Sequence, residues 1–271
     1  MRKELTADRK KVLAKIAEFE KEGGESFFRD VEDDPPSRTL MPDDVDYLHA
    51  SAKYKINGFF ARIAENMCRF VCKHKFRIKV EGKENLENIS GGAIFTSNHF
   101  SVNENLAVNL AAKSAPGKHR FYKLIREGNY FMPGIIGWLL KYCNTLPLSE
   151  SFATTRLLDR AISEILSRGD FILVYPEQSM WWYYQKPRPY RIGAFYYAAK
   201  NNVPVVPCFV TMDKKNKKYD MLPDNVRLTV HILEPIFPES GLGFKENAAK
   251  MRERNAFLTK ECFENAESAK I

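Results

Sequence analysis

The stretch SFATTRLLDRAISEILSRGDFILVYPE, residues 151–177, contains both halves of a repeating architectural unit. Leu157, Leu158, Ala161, Ile162, Ile165 and Leu166 recur at the three-and-four spacing of an amphipathic helix, and Gly169 stands where such a helix stops. The chain then enters FILV almost at once, a continuous apolar run of the kind that makes a strand buried on both faces. A helix feeding directly into a fully buried strand predicts an α/β unit, with helices covering a largely parallel sheet.

The same alternation extends in both directions. RIKVEG (77–82) and GGAIFTSN (91–98) read as strands, ENLAVNLAAKSA (104–115) as a helix, and HRFYKLI (119–125) as a strand. After residue 177 come a helix in GAFYYAAKNN and strands in VPVVPCFVT and VRLTVHILEPI. The expected fold is therefore α/β, a mixed, largely parallel sheet flanked by helices, with an N-terminal helical arm. In such sheets the active site lies at the carboxyl ends of strands, where SNH (97–99) and YPEQ (175–178) both fall.

Residues 1–50 read as the arm. Thr6 caps a first helix whose Val12, Leu13, Ile16 and Phe19 share a face, and Gly23-Gly24 stops it. An acidic, Pro-rich connector follows at 30–46, and the main domain spans 51–271. That domain starts with a basic amphipathic helix at 53–75, in which Ile56, Phe59, Phe60, Ile63, Met67, Phe70 and Val71 repeat at helical spacing. From Lys53 to Lys79 there are eight Lys or Arg and one acid, Glu65. Two roles suit this pattern: a helix packed on its own domain with a solvated basic face, or one lying on an anionic membrane surface.

Composition narrows the partners. A formal charge of +8 and a pI near 9.1 call for an anionic partner. Five cysteines without framework spacing suit a reducing compartment, and Cys68 and Cys72 have no second pair to complete a zinc site. The charged N-terminus lacks the apolar core of a signal peptide, and YFMPGIIGWLLKYC (130–143) is too short to span a bilayer. The expected location is cytoplasmic, peripheral to the inner face of the membrane. GKENLENISGG (82–92) lacks a phosphate-loop pattern, and no Gly-x-Ser-x-Gly elbow surrounds Ser101.

The residues that carry chemistry are in TSNHFSVNE (96–104). His99 and Glu104, five apart, would not share a helix face, but a strand-end turn entering a helix brings such residues together. A carboxylate on one imidazole nitrogen fixes the tautomer and supports the charge when the other nitrogen takes a proton, which is how a general base is oriented.

NHFSVNE resembles the Asn-His-x-Ser-x-x-Asp block of the lysophosphatidate acyltransferase-like superfamily of PlsC-type glycerolipid acyltransferases. FYKLIREGNYFMPGIIGWLLKYCNTLPL is similar to its second block, VYPEQS to its Phe-Pro-Glu-Gly block, and NNVPVVPC to its Val-Pro-Ile-Val-Pro block. These occur in the family order across roughly residues 75–235. The resemblance implies transfer of an acyl chain from an acyl-CoA or acyl carrier protein thioester to the hydroxyl of a lysolipid acceptor. It makes His99 the base and Glu104, in place of the family's Asp, its orienter. It places Asn98, Glu177, Gln178 and Ser179 around the acceptor, and offers Lys123 or backbone N–H groups to the oxyanion; Arg191 joins the acceptor-binding set only as a replacement charge. No cofactor and no metal are implied.

The sequence departs from the family where arginines are expected to hold a phosphate: Ser149 and Glu150 occupy one such place, and Met180 the other. Either Arg156, Lys186, Arg188 and Arg191 supply the charge from new positions, or the acceptor's head is not a simple phosphomonoester. Trp181, Trp182, Tyr183 and Tyr184 either pack or contact an acyl chain or sugar ring. A nucleic-acid-binding module would use the basic 53–79 segment, but no recognised motif supports one and no nucleic-acid partner is expected. An inactive homologue would follow if Glu104 could not reach His99. Oligomeric state is left open.

Overall fold

A computed structural model describes residues 5–33, 38–216 and 225–269; the Pro35-Pro36 pair of the connector lies outside the described residues. After helix α1 (Ala7–Glu22) come α2 (Ala52–Lys75), β1 (Lys79–Glu81), β2 (Ala93–Thr96), α3 (Glu104–Ala112) and β3 (Phe121–Ile125). A short α4 (Glu127–Tyr130), α5 (Gly134–Tyr142) and β4 (Thr145–Pro147) lead to α6 (Phe152–Ser167) and β5 (Phe171–Val174). The chain continues through α7 (Gly193–Lys200), β6 (Val205–Lys214), β7 (Val226–Ile232) and α8 (Phe244–Ser268).

The strands form one sheet in the order β1-β7-β6-β2-β5-β3-β4, parallel at every pairing except β6 with β7. The predicted α/β architecture is thus the observed one. The 151–177 stretch folds as its pattern requires. Ser151 caps α6 by accepting a hydrogen bond from the Thr154 amide. At the other end the Gly169 amide donates to Leu166 and the Asp170 amide to Ile165, while Gly169 takes φ +84°. This paired motif satisfies the last carbonyls, and glycine enters the left-handed conformation without a Cβ penalty. Leu158, Ala161, Ile162, Ile165 and Leu166 are buried; Leu157, expected on the same face, lies at its edge and is partly exposed. A second glycine is required by proximity: a Cβ on Gly92 would sit 2.2 Å from the Leu166 carbonyl oxygen.

Helix α2 turns the opposite way from an ordinary core helix. It buries Tyr54, Gly58, Ala61, Glu65 and Cys72 against the domain. Its most apolar face, Ile56, Phe59, Phe60, Ile63, Met67, Phe70 and Val71, points away and is 45–66% exposed. The self-packing alternative therefore does not account for that face. Its single acid, Glu65, is buried because it pairs with the Lys123 ammonium on β3.

The arm folds back onto the domain. Val12, Ile16 and Val31 form a small core with Trp181, which is fully buried and donates its indole N–H to the Arg29 carbonyl. Of the two readings for the aromatic run, packing is the observed role of Trp181. The long C-terminal α8, absent from the sequence reading, packs on α7 and β6. Its buried face mixes Ala248, Met251 and Leu258 with Asn247, Asn255 and Thr259, so its hydrophobic period is diluted. Asn255 accepts a hydrogen bond from Thr96 at the end of β2.

Candidate active site

The site begins where β2 runs out of ladder. Beyond Thr96 the backbone leaves the sheet, and Asn98 replaces the lost strand pairing with its side chain. Its Nδ2 donates to the Val210 carbonyl at 3.0 Å, and its Oδ1 accepts from the Val210 amide at 2.8 Å. Asn98 is 2% exposed. Expected at the acceptor, it instead clamps the turn that presents the next residue, His99.

Glu104 opens α3, where a carboxylate is favoured by the helix dipole. The turn brings it back to His99, whose Nδ1 is hydrogen-bonded to Glu104 Oε1. Glu104 is fully buried, while the His99 side chain keeps about a fifth of its surface open. No partner within the described residues engages His99 Nε2. Glu104 reaches His99, so the condition that would favour an inactive homologue is not met.

Tyr175 completes this arrangement from β5's carboxyl end. Its ring stacks on the His99 imidazole, centroids 3.9 Å apart and planes 11° from parallel. Its hydroxyl and Glu104 Oε2 are both buried, and neither has a hydrogen-bond partner among the described residues. Burial first, and the negative charge of Glu104 second, push the Tyr175 phenol well above its ordinary pKa. A phenol that stays protonated beside a carboxylate is a donor facing an acceptor.

Glu177 lies next to the acid–imidazole pair but is not open to a ligand. It is 2% exposed, and it accepts hydrogen bonds from the His99 amide at 3.0 Å and from the Arg188 guanidinium at 2.8 and 3.1 Å. Arg188 also donates to Ser179 Oγ at 3.0 Å and to the Phe27 carbonyl at 2.9 Å. Expected to hold the acceptor, Glu177 and Ser179 are consumed internally: with Arg188 they fix the loop, the arm and the His99 backbone relative to one another. Sequence reasoning weighed Arg188 only as a spare cation. Its place opposite Glu177, eleven residues on across an irregular loop, has no periodic signal.

The other expected site residues divide in two. Lys123 is not at the site: its ammonium is committed to Glu65 on the α2 side of the sheet, which removes it as an oxyanion donor. Gln178 and Arg191 do keep side chains open to solvent on the loop that carries Glu177, where the Arg191 amide donates to the Pro176 carbonyl at 2.9 Å. Gln178 is exposed at φ +64°, a conformation that suits glycine, and its Oε1 accepts from Arg191 Nε at 3.3 Å. Arg191 is also paired with the exposed Glu25 of the arm. Lys186 pairs with Glu20, and the Arg156 guanidinium lies over Phe152. Tyr175 has one signal in the sequence, its position immediately before Pro176-Glu177 in the resembling block.

No cluster of three or more His, Cys, Asp or Glu side chains with metal-binding geometry occurs among the described residues. All five cysteines are free, Cys68 exposed and Cys72 buried.

An α/β sheet presenting an imidazole–carboxylate pair at the end of an inner parallel strand is the frame of a PlsC-type acyltransferase. The acyltransferase family model matches residues 77–211, a stretch holding His99, Glu104, Tyr175, Glu177 and Arg188, and the chain belongs to that superfamily. Two curated chloroplast proteins named 1-acyl-sn-glycerol-3-phosphate acyltransferase are similar to it. LPAT1 of Arabidopsis thaliana is 29% identical over 139 residues, covering 49% of this chain and 35% of the relative. BAT2 of Brassica napus is 27% identical over 136 residues, covering 49% and 36%. The chain thus spans about a third of the length of those relatives. The crystal structure of the 1-acyl-sn-glycerophosphate acyltransferase PlsC from Thermotoga maritima has a similar fold, with a TM-score of 0.54 and 21% identity. It aligns over 76% of this chain and 81% of that one.

Proposed function

We propose that the protein is an O-acyltransferase that moves a fatty acyl chain from an acyl thioester to the hydroxyl of a lysophospholipid such as 1-acyl-glycerol-3-phosphate. The observation that carries this is the His99 Nδ1–Glu104 hydrogen bond at the carboxyl end of β2, inside the family-matched stretch. With Nδ1 held by the carboxylate, Nε2 is the basic nitrogen. It takes the acceptor's hydroxyl proton as the oxygen attacks the thioester carbonyl. The tetrahedral adduct collapses with cleavage of the C–S bond, and the thiolate leaves with the proton returned by the imidazolium. Each step draws on residues of the chain; the thioester, on CoA or a carrier protein, is the co-substrate and no cofactor is needed.

Arg191 is the cation for an anionic acceptor head, because it lies beside Gln178 on the Glu177 loop and its present partner, Glu25, is solvent-exposed. Arg188 cannot serve, since Glu177 holds it. A second reading changes only the acceptor. Glu150 and Met180 stand where the family carries arginines, which favours a glycolipid or other head without a phosphomonoester.

The reaction takes place at a membrane surface, which the outward apolar face of α2 contacts. The carboxyl-terminal half of α2 lies near the site, because Cys72 Sγ on its inner face lies 3.7 Å from Asn103 Oδ1, and Val102, next to Asn103, is 70% exposed. Ile135 and Ile136 of α5, the helix packed on α2, are exposed as well. No helix among the described residues is long and apolar enough to cross a membrane, and the five cysteines are free; both features support the reading of a peripheral contact on the cytoplasmic side.

The test is thiol release from acyl-CoA and acyl carrier protein, with lysophosphatidate compared against phosphate-free lyso-acceptors and His99→Ala as the blank. Turnover with lysophosphatidate supports the first reading; turnover with the other acceptors alone supports the second. No His99-dependent thiol release with any acceptor would refute both.

A further inference from the structure

A cleft of about 590 Å³ opens between α2, the end of α3 and the loop entering β3. It lies at the amino ends of β3 and β5, whose first residues Phe121 and Phe171 line it. His99 sits at the opposite, carboxyl end of the sheet, so this cleft is separate from the site described above.

Arg62, Arg69, Lys113 and Lys118 all line the cleft. None of the four has an ion-pair partner among the described residues; Arg69 is held only by the neutral amides of Asn66 and Asn109. The one carboxylate in the lining, Glu65, is already matched by Lys123. Burial lowers the pKa of Lys113, and the neighbouring Arg69 charge lowers it further; burial lowers Arg69 too. Glu65 offsets part of this for both groups, but one carboxylate already paired with Lys123 does not balance four further cations, and cations crowded into a partly desolvated space are stabilised by an incoming anion.

The lining also has an apolar part. Phe59 and Ile63 line the cleft and belong to the outward apolar face of α2. A ligand with a charged head and apolar tails satisfies both surfaces, whereas a free anion satisfies one.

We infer that this cleft binds the phosphate headgroup of an anionic phospholipid, its chains lying along Phe59 and Ile63, and so tethers the protein to the membrane independently of the acceptor. This rests on the reading of α2 as the membrane face. Arginine supplies planar, paired donors to phosphate oxygens, and lysine a point charge beside them.

The full chain is titrated by calorimetry with dihexanoyl phosphatidylglycerol below its micelle concentration, with dihexanoyl phosphatidylcholine and inorganic phosphate as comparisons. Saturable binding of the anionic lipid is expected, weakened at least tenfold by combined Arg62→Ala and Lys113→Ala and unchanged by His99→Ala. Unchanged affinity in the double variant, no saturable binding, or equal affinity for inorganic phosphate would each overturn the proposal. Sedimentation with vesicles after Phe60→Asp and Phe70→Asp, neither of which lines the cleft, tests the α2 reading separately. Failure there leaves the lipid titration as an independent result.

Discussion

Arg188 and Glu177 form an ion pair sealed inside the protein: their side chains are 1% and 2% exposed, and a guanidinium nitrogen lies 2.8 Å from the carboxylate. Removing one member of such a pair strands a buried charge, which destabilises by about 3–5 kcal/mol. Arg188→Met should therefore lower unfolding free energy by that order in urea titrations. Adding Glu177→Met should restore part of the loss. Strict additivity of the two changes would show that the charges do not depend on each other.

The base and its orienter should separate kinetically. His99→Ala should abolish thiol release, and Glu104→Gln should lower kcat within the roughly 10²–10⁴-fold range of a positioned general base. Circular dichroism should show both variants folded. Near-normal turnover of His99→Ala would remove the mechanism.

Tyr175→Phe keeps the ring stacked on His99 and deletes the hydroxyl facing Glu104. A donor that closes onto a charged acceptor as the imidazolium forms contributes up to about 1.5–3 kcal/mol, so kcat should fall by up to roughly ten- to a hundredfold with KM little changed. A KM effect alone would mean that the hydroxyl serves the acceptor rather than the carboxylate.

His49 provides an acid-sensitive point remote from the chemistry. Burial pushes its imidazole down to about 4, and it stacks on Tyr54 with its Nδ1 unsatisfied. The folded pKa is below the unfolded one, so the unfolded chain binds the proton first. This contribution to stability is complete above about pH 6.5 and is lost as pH falls toward 4, on the order of 3 kcal/mol in all. Replacing His49 with Phe should flatten the stability profile across that window; an unchanged acid slope would assign it to other groups.

The exposed face of α2 predicts a surface activity. Phe60→Asp with Phe70→Asp should abolish co-sedimentation with anionic vesicles at low salt while leaving the melting temperature nearly unchanged, since both rings are more than half exposed. Retained binding would mean that basic charge alone holds the protein to the surface.

Local periodicity was enough for the elements that alternate. The apolar run of β5, the stripe and stop of α6, and the order of helix and strand could be read directly, because burial on a sheet imposes a period on the chain. The spacing of His99 and Glu104 also proved sufficient, since a strand-end turn can close over five residues. The polar buried face of α8 left no comparable trace.

What the sequence could not decide was which polar residues would be used up inside the protein. Asn98, Glu177 and Ser179 look like ligand-facing groups in a motif. The fold instead assigns them to Val210, His99 and Arg188, because buried polar atoms must find partners wherever the chain places them. Lys123 belongs to Glu65 for the same reason. The outward turn of α2 was likewise a tertiary choice. An amphipathic pattern specifies that one face differs from the other, and packing of Ala61, Glu65 and Cys72 against the domain determined which face would be left outward.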